Sequence, residues 1–110
     1  MGKLKVVSGR TAPGAGWKQQ EEAGKKVGIW IQVDTTSAGF TGTPTYVTSL
    51  GGNSEHWNTT GGSSVYPPNQ DLNRELKRGF RIFIRWRAGE ALEPKKAEDQ
   101  KWCINWIGME

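Results

Sequence analysis

The stretch GFRIFIRWR (79–87) places Phe80, Ile82, Ile84 and Trp86 on one side of an extended chain and Arg81, Phe83, Arg85 and Arg87 on the other. Successive side chains of a strand point to opposite faces, so this alternation fits a strand with one face in a core. A helix would repeat its apolar residues at intervals of three and four. Such a strand folds only if a second layer covers its apolar face. The same alternation recurs in VGIWIQVD (27–34), where Ile29, Ile31 and Val33 alternate with Trp30, Gln32 and Asp34. In WCINWIGM (102–109), Trp102, Ile104 and Trp106 share a face opposite Cys103, Asn105 and Ile107. Two fairly apolar faces predict a central strand or one lying against a second subunit.

Further strands are expected at KLKVVSG (3–9), TPTYVTSL (43–50) and SSVY (63–66), separated by the turn-forming stretches SAGFTG, SLGGNS, TTGGSS and YPPNQD. DLNRELKR (71–78) has helical leanings, with an aspartate at its start and basic residues at its end. The 110 residues hold no repeat and no linker, which predicts one domain over 1–110. Six short strands in a chain with 15 glycines and 5 prolines predict an all-β fold, a compact six-stranded antiparallel β-sandwich. Six tryptophans supply large buried areas for so short a chain; Trp17, Trp102 and Trp106 are assigned to packing.

The residues that carry chemistry are few, and no enzyme is expected. His56 is the only histidine, which removes most metal sites and catalytic triads. It stands in the polar loop GGNSEHWNTT, either as an exposed loop residue or as a hydrogen-bonding group at a ligand rim. The carboxylate pairs Glu21/Glu22 and Glu98/Asp99 lie in charged stretches where no burial would tune them for acid–base work. The glycine-rich turns lack the lysine and following helix of a phosphate loop. Cys103 is alone, so no intrachain disulfide forms, and a buried apolar role is expected for it. No cofactor is implied. The net charge is +4, yet lysines and glutamates interleave in KQQEEAGKK and EPKKAED, which argues against a nucleic-acid partner. No stretch approaches a membrane span or a signal peptide, so the default compartment is the cytoplasm. Asn58-Thr59-Thr60 is a formal glycosylation sequon, meaningful only in a secreted chain.

The order of landmarks resembles the H-type lectin domain of snail agglutinins and slime-mould discoidins. The elements that carry the resemblance are KVVSGRT (5–11), Gly16-Trp17, GFTGTPTYVTSLGG (39–52), Tyr66, GFRIFIRW (79–86) and INWIGME (104–110), covering essentially the whole chain. Within that family the chain is most similar to a subgroup sharing FTGTPTYVTSLGGNS, HW and TTGGSSVY. The resemblance implies a six-stranded β-sandwich assembled as a homotrimer or a dimer of trimers, with galactose-type glycans bound between subunits at one end. It implies sugar contact by Trp86 and by an acidic residue in the loop after Gly16-Trp17, here Glu21 or Glu22 of EEAGKK. Arg87 stands where snail-type members carry histidine.

Two roles are open for the arginine face. Arg81 and Arg85, with Phe83, would line a subunit interface, Asp34 being one candidate partner; Arg87 beside Trp86 would clamp a carboxylate, sulfate or phosphate and turn the domain toward acidic glycans. Trp57, in its polar loop, and Trp30 are candidates for stacking on a sugar, with His56 at the rim. The expected function is therefore a non-catalytic, trimeric, carbohydrate-binding module. The alternative is a structural trimerisation protein or subunit of a larger complex, with PPNQDLNRELKR and EEAGKK as docking elements.

Overall fold

A computed structural model describes residues 4–110. Seven strands form two antiparallel sheets: β1 (Val6–Arg10), β2 (Lys18–Glu22), β3 (Lys25–Asp34), β4 (Thr45–Gly51), β5 (Thr59–Thr60), β6 (Gly79–Trp86) and β7 (Cys103–Met109). One sheet has the order β1-β7-β4 and the other β2-β3-β6-β5. The central position of β7 is the one its two apolar faces predict. In the other sheet β3 and β6 pair in the register Ile29↔Ile84, Ile31↔Ile82 and Val33↔Phe80. All six of these side chains are buried, which is the period-two pattern expressed as packing.

The two sheets meet through aromatic rings. Tyr46 of β4 lies 4.5 Å from Phe80 of β6, and Trp106 of β7 stands edge-on to Phe80 at 6.4 Å. Trp102 and Ile104 are fully buried between the layers, with Trp17, Phe40 and Leu92 closing the cluster. The chain is thus an all-β, sandwich-like domain. Burial raises the pKa of the Tyr46 hydroxyl, which is shared between Thr35 Oγ1 at 2.7 Å and the Leu76 carbonyl, tying β4 to the two loops beneath it.

Local structure departs from expectation in four places. EEAGKK is not a loop but the tip of the β2–β3 hairpin, turning at Ala23 (φ 51°) and Gly24 (φ 78°); two successive positive φ values match the twist of the flanking strands. Glu21 and Glu22 are therefore strand residues. SSVY contributes a single bridge, Tyr66 to Arg81. DLNRELKR holds only the end of a 3-10 turn, Gln70–Leu72, capped by the Asn69 side chain accepting from the Asp71 N–H. The α-helix lies elsewhere: α1 (Pro94–Gln100) starts on a proline, ends at Lys101 (φ 57°) and buries only Ala97.

The Glu110 carboxylate accepts hydrogen bonds from the backbone N–H groups of Thr41 (2.8 Å) and Gly42 (3.0 Å). These bonds hold its pKa below the ordinary value, with the Lys5 charge adding to the effect. A depressed folded pKa gives stability that is present above about pH 4.3, the ordinary glutamate value, and lost as the pH falls through the lower folded value. Hydrogen exchange at the Thr41 and Gly42 amides is therefore expected to speed up, after correction for its intrinsic pH dependence, as the pH is lowered through that window. Glu110→Gln is expected to remove the step.

Candidate functional site

One end of the sandwich is assembled from three segments far apart in sequence. β6 ends at Trp86, whose partner in the sheet is Thr59. The Arg87 N–H donates to the Asn58 carbonyl at 2.9 Å, so the 3-10 turn His56–Asn58 is pinned to the end of β6. The loop before that turn is held from the other side: the Trp102 indole N–H donates to Ser54 O at 2.9 Å, and the Asn53 N–H donates to Gln100 O at 2.7 Å. α1 completes the wall by setting Lys96 3.1 Å from the Glu55 carboxylate.

Between these segments lies a depression of about 340 Å³ lined by Glu55, Trp57, Asn58, Trp86, Ala88, Glu90 and Lys96. That volume suits one small ligand. Trp57 is 73% exposed, an unusual state for so large an apolar surface on a well-packed domain. Trp86 is half-buried, and its ring is supported edge-on by the buried Trp102 at 5.7 Å. Glu55 sits in the left-handed backbone region at φ 69°, which costs free energy for a residue with a side chain. Glu55 answers Lys96, leaving Glu90 as an additional acid at the rim, and the Asn58 amide adds donors and acceptors. The ion pair is partly buried, with its side chains 36% and 44% exposed. The combination offers flat apolar surface beside hydrogen-bonding groups of both polarities.

Of the residues singled out from the sequence, the depression brings together Trp57 and Trp86. Arg87 is exposed just past Trp86, and its backbone N–H only pins the turn; it is not among the lining residues, and neither is His56, half-buried with Nδ1 enclosed and without a partner. Glu21 and Glu22 lie outside it on β2, where Glu22 bonds the Arg85 guanidinium at 2.6 Å. Trp30 lies on the outer face of the four-stranded sheet, beside Phe83. Glu55, Asn58, Glu90 and Lys96 were not expected as site residues. Lys96 and Glu90 reach the depression only because α1 and the turn before it exist, and a charged stretch with one buried alanine gives no period to read.

Arg81, Phe83 and Arg85 do share the outer face of the four-stranded sheet. Arg81 Nε donates to Pro67 O at 2.8 Å. Asp34 answers neither arginine; its carboxylate accepts from the Thr36 N–H at 2.9 Å and hydroxyl at 2.7 Å, closing a turn. No protein-family model matches the chain, and neither does any curated protein or solved structure. What the fold and the depression define is a class: a two-sheet β domain with an aromatic, polar-rimmed hollow at one end.

Proposed function

We propose that the protein is a non-catalytic carbohydrate-binding domain whose ligand lies against Trp57 and Trp86. The observation that carries this reading is Trp57, 73% exposed and facing a hollow with Glu55, Asn58 and Glu90. A pyranose ring presents C–H groups to an indole face and hydroxyls to carboxylates and amides around it, and this lining supplies both. Two carboxylates against one lysine favour a neutral sugar. An acidic glycan would need Arg87 to swing over the rim. The resemblance to H-type lectins supports the same class, and a homotrimer would multiply weak sites into useful avidity.

The test is calorimetric titration with a panel of neutral and acidic monosaccharides and oligosaccharides. Trp57→Ala is expected to weaken the best hit about thirtyfold, equivalent to about 2 kcal/mol. Because the ring is exposed, the melting temperature should hardly move. Full retention of affinity in Trp57→Ala would sink the assignment.

The second reading, a structural oligomerisation module, is favoured by a different surface. On the outer face of the three-stranded sheet Val6, Val47 and Ile107 are 54%, 57% and 44% exposed. Val47 pairs with Ile107 and Val6 with Met109. The one arginine there, Arg10, is held by Asn105 at 2.6 Å. A nearly neutral apolar patch of this kind suits contact with a second copy. A protein that is oligomeric by sedimentation but blank across the sugar panel would make this the leading reading.

A further inference from the structure

We propose that the outer face of the four-stranded sheet binds single-stranded nucleic acid. This inference is independent of the sugar site, which occupies another surface. Folding regroups part of the charge that interleaves along the sequence. The period of two in β6 sends Arg81 and Arg85 to one face together with Phe83, and the β2 residue opposite Trp30 in the ladder is Lys18. The face also carries acids: Glu22 is engaged by Arg85, and Asp34 accepts from Thr36. Among the described residues neither Arg81 nor Lys18 has a carboxylate within ion-pair distance.

Between these cations run three aromatic rings, two on neighbouring strands and one at the bridge beside β6. Trp30 and Phe83 are cross-strand partners with centroids 5.9 Å apart, and Tyr66 meets Phe83 edge-on at 5.2 Å. Lys18 Nζ lies 5.3 Å from the Trp30 ring, and the Arg81 guanidinium lies 5.3 Å from that of Phe83. A shallow depression runs over Phe83, walled by Tyr66, Arg81, Arg85, Gln20 and Thr60. Tyr66 is 46% exposed, and Gln20 Oε1, enclosed in the same place, has no donor.

The charge decides the occupant. A second copy laid on this face would bring its own Lys18 and Arg81 to the same interface, adding cations to those already without an ion-pair partner. An anionic partner is complementary. Three rings further favour planar groups. A single nucleic-acid strand has both properties: phosphates for Lys18 and Arg81, and bases for Tyr66 and the Phe83 hollow.

The experiment is fluorescence anisotropy of labelled twelve-nucleotide DNA and RNA strands titrated with the full chain at low and moderate salt. Binding is expected in the range of about 10⁻⁴ to 10⁻⁶ M, weakening as salt rises. Arg81→Gln is expected to weaken it about tenfold and to flatten the salt dependence by about one counterion. Tyr66→Ala is expected to weaken it about tenfold with the salt dependence unchanged. Lys95→Gln, on exposed α1, should be silent. Circular dichroism checks the fold of each variant, and Arg85→Gln substitutes if loss of the Pro67 bond unfolds Arg81→Gln. No binding at low salt overturns the proposal. So does binding that a heparin-type glycan displaces equally well and Tyr66→Ala leaves intact, since the face would then read charge alone.

Discussion

Replacing Trp102 with alanine is expected to destabilise the domain by about 4 kcal/mol. A chain of this size has about 5–15 kcal/mol in total, so the melting temperature should fall by about 15 °C or more. Trp102 is the largest fully buried side chain in the protein, packed between the sheets, and its removal leaves a hole that rigid strands on either side cannot close. Its indole N–H also holds the Ser54 carbonyl, and its ring supports Trp86. The effect therefore reaches the hollow: the loop that carries Glu55 and Trp57 loses one of its anchors. Trp102→Phe separates the two contributions. It retains most of the apolar contact, leaves Ser54 O without its donor, and is expected to cost about 1–2 kcal/mol more than the lost volume alone. Sugar affinity should drop in that folded variant as well. Thermal melts of both variants, with a sugar titration on Trp102→Phe, check the prediction. A melting temperature within a few degrees of wild type for Trp102→Ala would contradict the packing.

The strands that could be read from the sequence are those whose two faces differ. β3 and β6 alternate because one face meets the core and the other water, and β7 reads as central because both its faces are covered or apolar. β2 could not be read in this way. KQQEE contains no apolar residue, and its inward anchor is Gln19, whose amide donates to Gly28 O at 2.8 Å and Leu92 O at 2.9 Å. Hydrogen bonds of an edge strand leave no hydrophobic period. α1 was hidden for a related reason. It is seven residues long, and a single buried alanine fixes it. SSVY has strand-like composition, but Gly61 and Gly62 before it and Pro67-Pro68 after it limit its pairing to one bridge. The hollow follows the same division. Trp57 was legible as an exposed aromatic in a polar loop, and Trp86 as the end of a recognisable strand. Glu55, Glu90 and Lys96 depend on where a turn and an unpredicted helix come to rest. Sequence spacing carries no information about that.

Gly61→Ala is expected to cost about 3 kcal/mol, for two reasons that a control can separate. Gly61 follows β5 with φ 105°, a backbone region strained for alanine, and a methyl group there would stand 2.2 Å from the Phe83 carbonyl oxygen. That oxygen belongs to the backbone of β6, so it cannot turn aside as a flexible side chain would. Relief requires the chain after β5 to lift from the edge of the sheet. The Ser64 N–H to Gly61 O turn and the Tyr66–Arg81 bridge would be strained with it. Gly24, at the β2–β3 turn, is the control: its φ is 78°, but nothing lies within 4 Å of an added methyl group. Gly24→Ala should therefore show the backbone cost alone, about 1 kcal/mol. The difference between the two melts measures the steric part. Amide exchange should locate it, with Gly61→Ala opening the β5–β6 edge and Tyr66 while β3, β7 and their core amides stay protected. Equal melting temperatures for the two variants would mean that the chain after β5 yields freely. Tyr66 would then be too loosely held to form a wall of the proposed nucleic-acid surface.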